Sequence, residues 1–87
     1  MNEQEIYLTM KDTIQDIALD DIKAERARQD ELHPQKLTIA MRFVCTTEEA
    51  GEVAEALQED DSRHLYKEII ETAASWMRMA EEVKLND

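Results

Sequence analysis

Glycine, proline and cysteine are almost missing: one of each in 87 residues. A strand-rich fold needs turn residues at every reversal, and this chain lacks them. Cys45 has no second cysteine to pair with, so neither an internal disulfide nor a cysteine zinc cluster can form. Positive charge is scarce too, with 10 Lys and Arg against 21 Asp and Glu, a net charge of −11. Nucleic-acid phosphates demand Lys and Arg, so the balance argues against DNA or RNA as partners, and equally against an anionic membrane. It fits cation binding, or solvation alone. Apolar runs are far too short to span a bilayer. The opening MNEQEIYLTMKD has neither the basic nor the apolar part of a secretory signal, so the expected location is cytoplasmic. Aromatic residues make up only 5%, but 43% of the chain is hydrophobic at helical spacing, which points to a folded protein.

What is present favours helix. Ala, Glu, Leu, Met, Lys and Arg are the residues that cost least in a helix, and they dominate. The reading is all-α, one domain over residues 1–87. So short a chain buries a small share of its surface, and self-association would cover the rest. Three helices are expected. The first runs from about Gln4 to Gln29, with Ile6, Met10, Ile14 and Ile17 on one face. The stretch Asp30-Glu31-Leu32-His33-Pro34 is expected to break it. The second runs from about Gln35 to Glu59. Ile39, Phe43, Ala50, Val53 and Leu57 form its apolar stripe, and a second row passes from Leu37, Met41 and Val44 into Glu48, Glu52, Glu55 and Glu59. The third runs from about Arg63 to Lys84, capped by Asp61 or Ser62, with Leu65, Ile69, Ala73, Trp76, Ala80 and Val83 as its core stripe. His64, Glu68, Glu71 and Ser75 lie on an adjacent face. The short turn between the second and third helices makes them antiparallel neighbours.

Two carboxylate pairs stand out, Glu49 with Glu52 and Glu68 with Glu71. Residues three apart share one side of a helix. In an antiparallel hairpin the two pairs can face each other, which is how helical bundles build metal sites. Four anions at close quarters repel strongly unless a cation joins them. All-oxygen ligation suits hard cations, Mg²⁺ or Mn²⁺. The spacing alone is unspecific, because 21 of 87 residues are acidic and such pairs arise by chance as a solvated face. Gly51, between Glu49 and Glu52, costs a helix about 1 kcal/mol relative to Ala and implies close packing or a ligand there.

The segment TTEEAGEVAEAL, in which Glu49-Ala-Gly-Glu52 is followed after fifteen residues by Glu68-Ile-Ile-Glu71, resembles the MazG-like branch of the all-α nucleotide pyrophosphohydrolases. That family carries E-x-x-E, a spacer, then E-x-x-D. ERARQ, from Glu25 to Gln29, is similar to the end of the first helix in small phage- and integron-borne members, and KEIIETAASWMRMAEEV to their third helix. The likeness spans roughly residues 20 to 84. It departs at Glu71, where the best-characterised enzymes have aspartate, one methylene shorter. The resemblance implies an antiparallel helical bundle, completed by a partner chain as a homodimer or homotetramer. It also implies Mg²⁺-dependent hydrolysis of a nucleoside triphosphate to the monophosphate and pyrophosphate, as nucleotide house-cleaning. Glu49, Glu52, Glu68 and Glu71 would hold the metal, with Mn²⁺ as a possible substitute. Glu49 and Glu52, with Glu48 as a supporting group or base, would carry catalysis. Glu25, Arg26 and Gln29 would line the nucleotide pocket.

Bland readings stand beside these. Arg26, Arg28, Lys36 and Arg42 can touch phosphates or simply pair with surface carboxylates. His64 reads as a half-exposed residue near a helix start, His33 as a loop residue and Cys45 as a small buried apolar one. Trp76 and the five methionines read as core or subunit interface. Two non-enzymatic functions compete with hydrolysis: a helical oligomer that binds a nucleotide or protein without turnover, and a structural hairpin with a solvated acidic face.

Overall fold

The computed structural model describes residues 1–86, so Asp87, the end of the expected domain, lies outside the described residues. Three helices account for the fold: α1 (Glu3–Leu32), α2 (Ile39–Ala56) and α3 (Ser62–Leu85). Each begins on a polar cap that satisfies backbone N–H groups left without an intrahelical partner. Asn2 accepts from the Glu5 amide at 2.8 Å, and Thr38 from the Met41 amide at 3.2 Å. Asp61 accepts from the Arg63 and His64 amides at 3.1 and 3.2 Å.

The boundaries differ from expectation at three places, the end of α1 and both ends of α2. α1 continues through Leu32, because proline restricts only the residue before it; His33, with ψ 69°, is where the backbone leaves the helix. α2 begins at Ile39 rather than Gln35. Two arginines hold the intervening segment by its carbonyls: Arg78 donates to His33 O at 2.7 Å and Arg42 to Gln35 O at 3.4 Å. α2 ends at Ala56, after which Gln58 and Glu59 bond back three residues, to Glu55 O at 3.0 Å and Ala56 O at 3.1 Å.

α3 is the central element. α2 lies antiparallel against one side of it and the second half of α1 against another, while α1 and α2 do not pack on each other. Contacts between α1 and α3 advance in the same chain direction, from Asp21 with Tyr66 to Gln29 with Ser75. α1 overhangs the rest. Residues 1–17 are all exposed, and the molecule measures 49 × 29 × 21 Å.

The buried seam is not the apolar one. On α2 it follows Arg42, Thr46, Glu49, Val53 and Ala56, the expected stripe turned by about one residue. Ile39 and Val53 are half-buried, but Phe43, Ala50 and Leu57 face outward. On α3 the buried residues are Glu68, Ile70, Thr72, Ala74, Ser75 and Arg78, whereas Ile69, Trp76, Ala80 and Val83 of the expected core stripe are exposed. Ala56, Ile70 and Ala74 are the buried hydrophobic residues among those described. Small side chains explain the choice, since they let α2 and α3 approach closely. The seam threonines are satisfied within their own helices: Thr46 donates to Arg42 O at 2.9 Å and Thr72 to Glu68 O at 2.8 Å. The larger apolar residues gather on an outer face, where Phe43 and Trp76 meet edge-on at 6.1 Å. Among the described residues, no helix is long and apolar enough to cross a membrane.

Candidate functional site: a carboxylate cluster beside a polar cavity

Antiparallel pairing of α2 with α3 brings the two glutamate pairs together. Partial burial raises the Glu49 carboxyl above its ordinary range. The hydroxyl of Ser75 opposes that shift, and the negative charges of Glu71, Glu52 and Glu25 add to it. The Glu52 carboxyl is raised as well, first by partial loss of water and then by Glu68, Glu71 and Glu55. Six carboxylates, Glu25, Glu49, Glu52, Glu55, Glu68 and Glu71, therefore share one electrostatic neighbourhood.

Each is held differently. Ser75, buried on α3, donates its hydroxyl to the Glu49 carboxylate, whose oxygens lie 2.8 and 2.9 Å away. The same oxygen accepts from the Gln29 amide at 3.2 Å, so α1, α3 and α2 are joined in one chain of hydrogen bonds. Gln29 also donates to Glu71 O at 3.3 Å. Glu68 is buried, with Oε1 3.2 Å from His64 Nε2. His64 Nδ1 lies 2.7 Å from Glu59, and that bond, followed by the charges of Glu59 and Glu68, raises the imidazole above its usual value. Glu71 is half-buried, with Lys67 Nζ at 3.8 Å. Glu52 is exposed and is the most open of the four.

Two buried atoms lack a partner, Glu68 Oε2 and Gln29 Oε1. An unpaired buried acceptor is costly and calls for a ligand, ion or water. Among the described residues, no three or more His, Cys, Asp or Glu side chains are gathered closely enough to cage a metal. The donor set nevertheless suits a hard cation: all oxygen, mutually repelling, and with one buried oxygen free.

The other candidates divide. Glu25 lies near Glu49 and pairs with Arg28 at 2.9 Å. Arg26 is engaged elsewhere, donating to both oxygens of Glu81 at 3.0 and 2.7 Å and to Asp30 at 2.8 Å; it braces α1 against α3. Burial would lower its pKa, but those two carboxylates outweigh burial and raise it. Glu48 is exposed beside Phe43 and Val44, on the outer face rather than with the cluster.

A cavity of about 270 Å³ opens where the three helices converge, and Glu49 forms part of its wall. Gln29, Thr46, Ser75, Cys45, Arg42 and Arg78 also line it. Arg78 and Thr46 carried no role in the sequence reading. The signal for Arg78 was available: continuing the row His64, Glu68, Glu71, Ser75 by the same three- and four-residue steps gives Arg78 and then Glu82. A second groove, between α1 and α3, is lined by Asp21, Glu25, Arg28, Tyr66, Lys67 and Glu71. There the Tyr66 hydroxyl donates to Asp21 at 2.6 Å, which raises the phenol above its ordinary value.

No family model, curated protein or solved structure matches this chain.

Proposed function

We propose that this protein is a Mg²⁺-dependent nucleoside triphosphate pyrophosphohydrolase, releasing the monophosphate and pyrophosphate, and that it works as a homodimer or homotetramer. The observation that supports the reading is the charge coupling of Glu49 and Glu52 with Glu68 and Glu71 across the α2–α3 pair. The Glu49 and Glu52 carboxyls are raised above their ordinary range, and one buried oxygen, Glu68 Oε2, has no partner. So much negative charge is stable only with protons or a cation, and at neutral pH a cation serves better. The resemblance of TTEEAGEVAEAL and KEIIETAASWMRMAEEV to MazG-like hydrolases names the reaction.

Glu49, Glu52, Glu68 and Glu71 are the residues that would hold Mg²⁺. Bound there, the ion would neutralise charge on the triphosphate and acidify a water. The chain's own residues prepare that site. Ser75 fixes Glu49, and His64 fixes Glu68 from the far side. Glu52, open to solvent with its carboxyl raised, is the group suited to take a proton from an attacking water at its Oε atoms. The adjoining cavity, lined by Gln29 and Glu49, is where the triphosphate would enter. The outward apolar faces of α1 and of the α2–α3 hairpin support self-association.

The test is pyrophosphate release from a panel of canonical and modified nucleoside triphosphates, with Mg²⁺ and then with EDTA. Release should need Mg²⁺, and Glu52→Gln should lower it by at least about a hundredfold while helix content is unchanged. Binding of a triphosphate without release would favour the non-catalytic oligomer. No response to either ligand or metal would leave a structural hairpin.

A further inference from the structure

The two arginines in the cavity are placed unlike any other positive charge in the chain. Arg42 is 7% exposed and Arg78 8%, in a protein of net charge −11. One carboxylate, Glu82, serves both. Arg42 Nη2 lies 3.0 Å from Glu82 Oε1 and Arg42 Nε 3.2 Å, while Arg78 Nε stands 3.6 Å from the same oxygen. Two buried cations thus face one anion. Burying charge is costly unless it is paired, so this spot is short of one negative charge.

Glu49, on the same cavity wall, does not supply it. Both of its oxygens are on the Ser75 hydroxyl, at 2.9 and 2.8 Å, and the ion pairs of Arg42 and Arg78 go to Glu82. Each arginine uses Nη2 on a backbone carbonyl of the 33–35 connection, and each Nη1 has no partner within the chain among the described residues. Neither Nη1 is sealed away as an unsatisfied buried atom. Both guanidiniums line the cavity. A guanidinium edge with a free N–H is the group that binds phosphate oxygens most specifically.

We infer that Arg42 and Arg78 form an anion subsite that takes a pyrophosphate group, either free or as the terminal phosphates of a nucleoside triphosphate. This rests on the hydrolase reading for which phosphates arrive, but not for the existence of the subsite. The cavity wall then carries both kinds of group, the Glu49 carboxylate and the two guanidiniums. A triphosphate spanning it would meet both.

The experiment is titration of inorganic pyrophosphate into the full chain in EDTA, followed by calorimetry and by the NMR signals of the arginine Nε–H groups. Pyrophosphate should bind and shift the Arg42 and Arg78 signals, and a nucleoside monophosphate should do so far more weakly. Arg78→Gln should weaken binding roughly ten- to hundredfold. Arg78→Lys, which keeps the charge but loses the fork, should also weaken it, with circular dichroism confirming the fold. If the charge of Glu49 holds the wild-type affinity below detection, Glu49→Gln removes that repulsion and should reveal binding. Absence of binding in Glu49→Gln, or binding that leaves both arginine signals unmoved, overturns the subsite. The two readings fail separately. Mg²⁺-dependent turnover without arginine shifts would leave the hydrolase and remove the subsite. Arginine shifts without turnover would leave the subsite and remove the hydrolase.

Discussion

At the scale of residues, the glutamates and His64 make stability depend on pH in a definite direction. Glu49 and Glu52 are raised above 4.5 and His64 above 6.5 in the folded chain. A raised value means that the folded state holds its proton more tightly than the unfolded state does. The resulting stabilisation is complete below those ordinary values and is lost as pH rises through the raised ones. For the glutamates that loss begins above 4.5, and for His64 above 6.5. Self-repulsion in a chain of net charge −11 acts in the same sense. In EDTA, the melting temperature followed by circular dichroism should fall as pH is raised through this window. Glu49→Gln should flatten the acidic part of the curve and His64→Gln the part nearer neutrality. If the cluster holds Mg²⁺, added metal should restore melting temperature at neutral pH. A melting temperature that climbs with pH across the window would refute the account of the cluster.

At the scale of elements, α2 carries its glycine without an evident packing reason. A Cβ built on Gly51 meets nothing within 4 Å, so close packing within the chain, one of the two explanations offered by the sequence, does not hold. The residue is helical and exposed, where glycine weakens a helix relative to alanine. Gly51→Ala should therefore raise unfolding free energy by about 0.5–1 kcal/mol, measured by urea titration at low protein concentration. A loss of stability instead would mean that another chain or a ligand approaches α2 at that point. The same helix shows how periodicity can identify an element and misplace its face. Its hydrophobic stripe was legible, but the seam with α3 runs through Thr46, Glu49 and Ala56, one position earlier around the helix.

At the scale of the whole molecule, a central α3 with neighbours on two sides leaves large apolar surfaces uncovered. Ile6, Met10, Ile14 and Ile17 of the α1 overhang are exposed, as are Phe43, Ile69 and Trp76 on the hairpin. Such exposed apolar surface on a small domain is what the proposed self-association would cover. Under the proposed oligomeric state, sedimentation should give a dimer or tetramer. Ile14→Glu combined with Ile17→Glu should shift it toward monomer without loss of the α2–α3 hairpin. A wild-type chain that stays monomeric at high concentration would contradict that proposal.

The sequence by itself determined the helical class and the three elements, and narrowed the cap of α3 to Asp61 or Ser62, of which the structure uses Asp61. It also fixed the placement of four glutamates on facing sides of a hairpin, because propensity, capping and i,i+3 spacing are local properties. The boundary of α1 was off by three residues, since proline acts only on its immediate predecessor. Only the tertiary structure decided which faces are buried. That choice depends on how closely two helices can approach, and small hydroxyl and alanine side chains won over larger apolar ones at the α2–α3 seam. It also decided that Arg26 braces α1 against Glu81, that Glu48 stands apart from the cluster, and that Ser75 joins Gln29 to Glu49. Residues 26 to 55 positions apart meet in these contacts, and no local pattern in the chain encodes their distance.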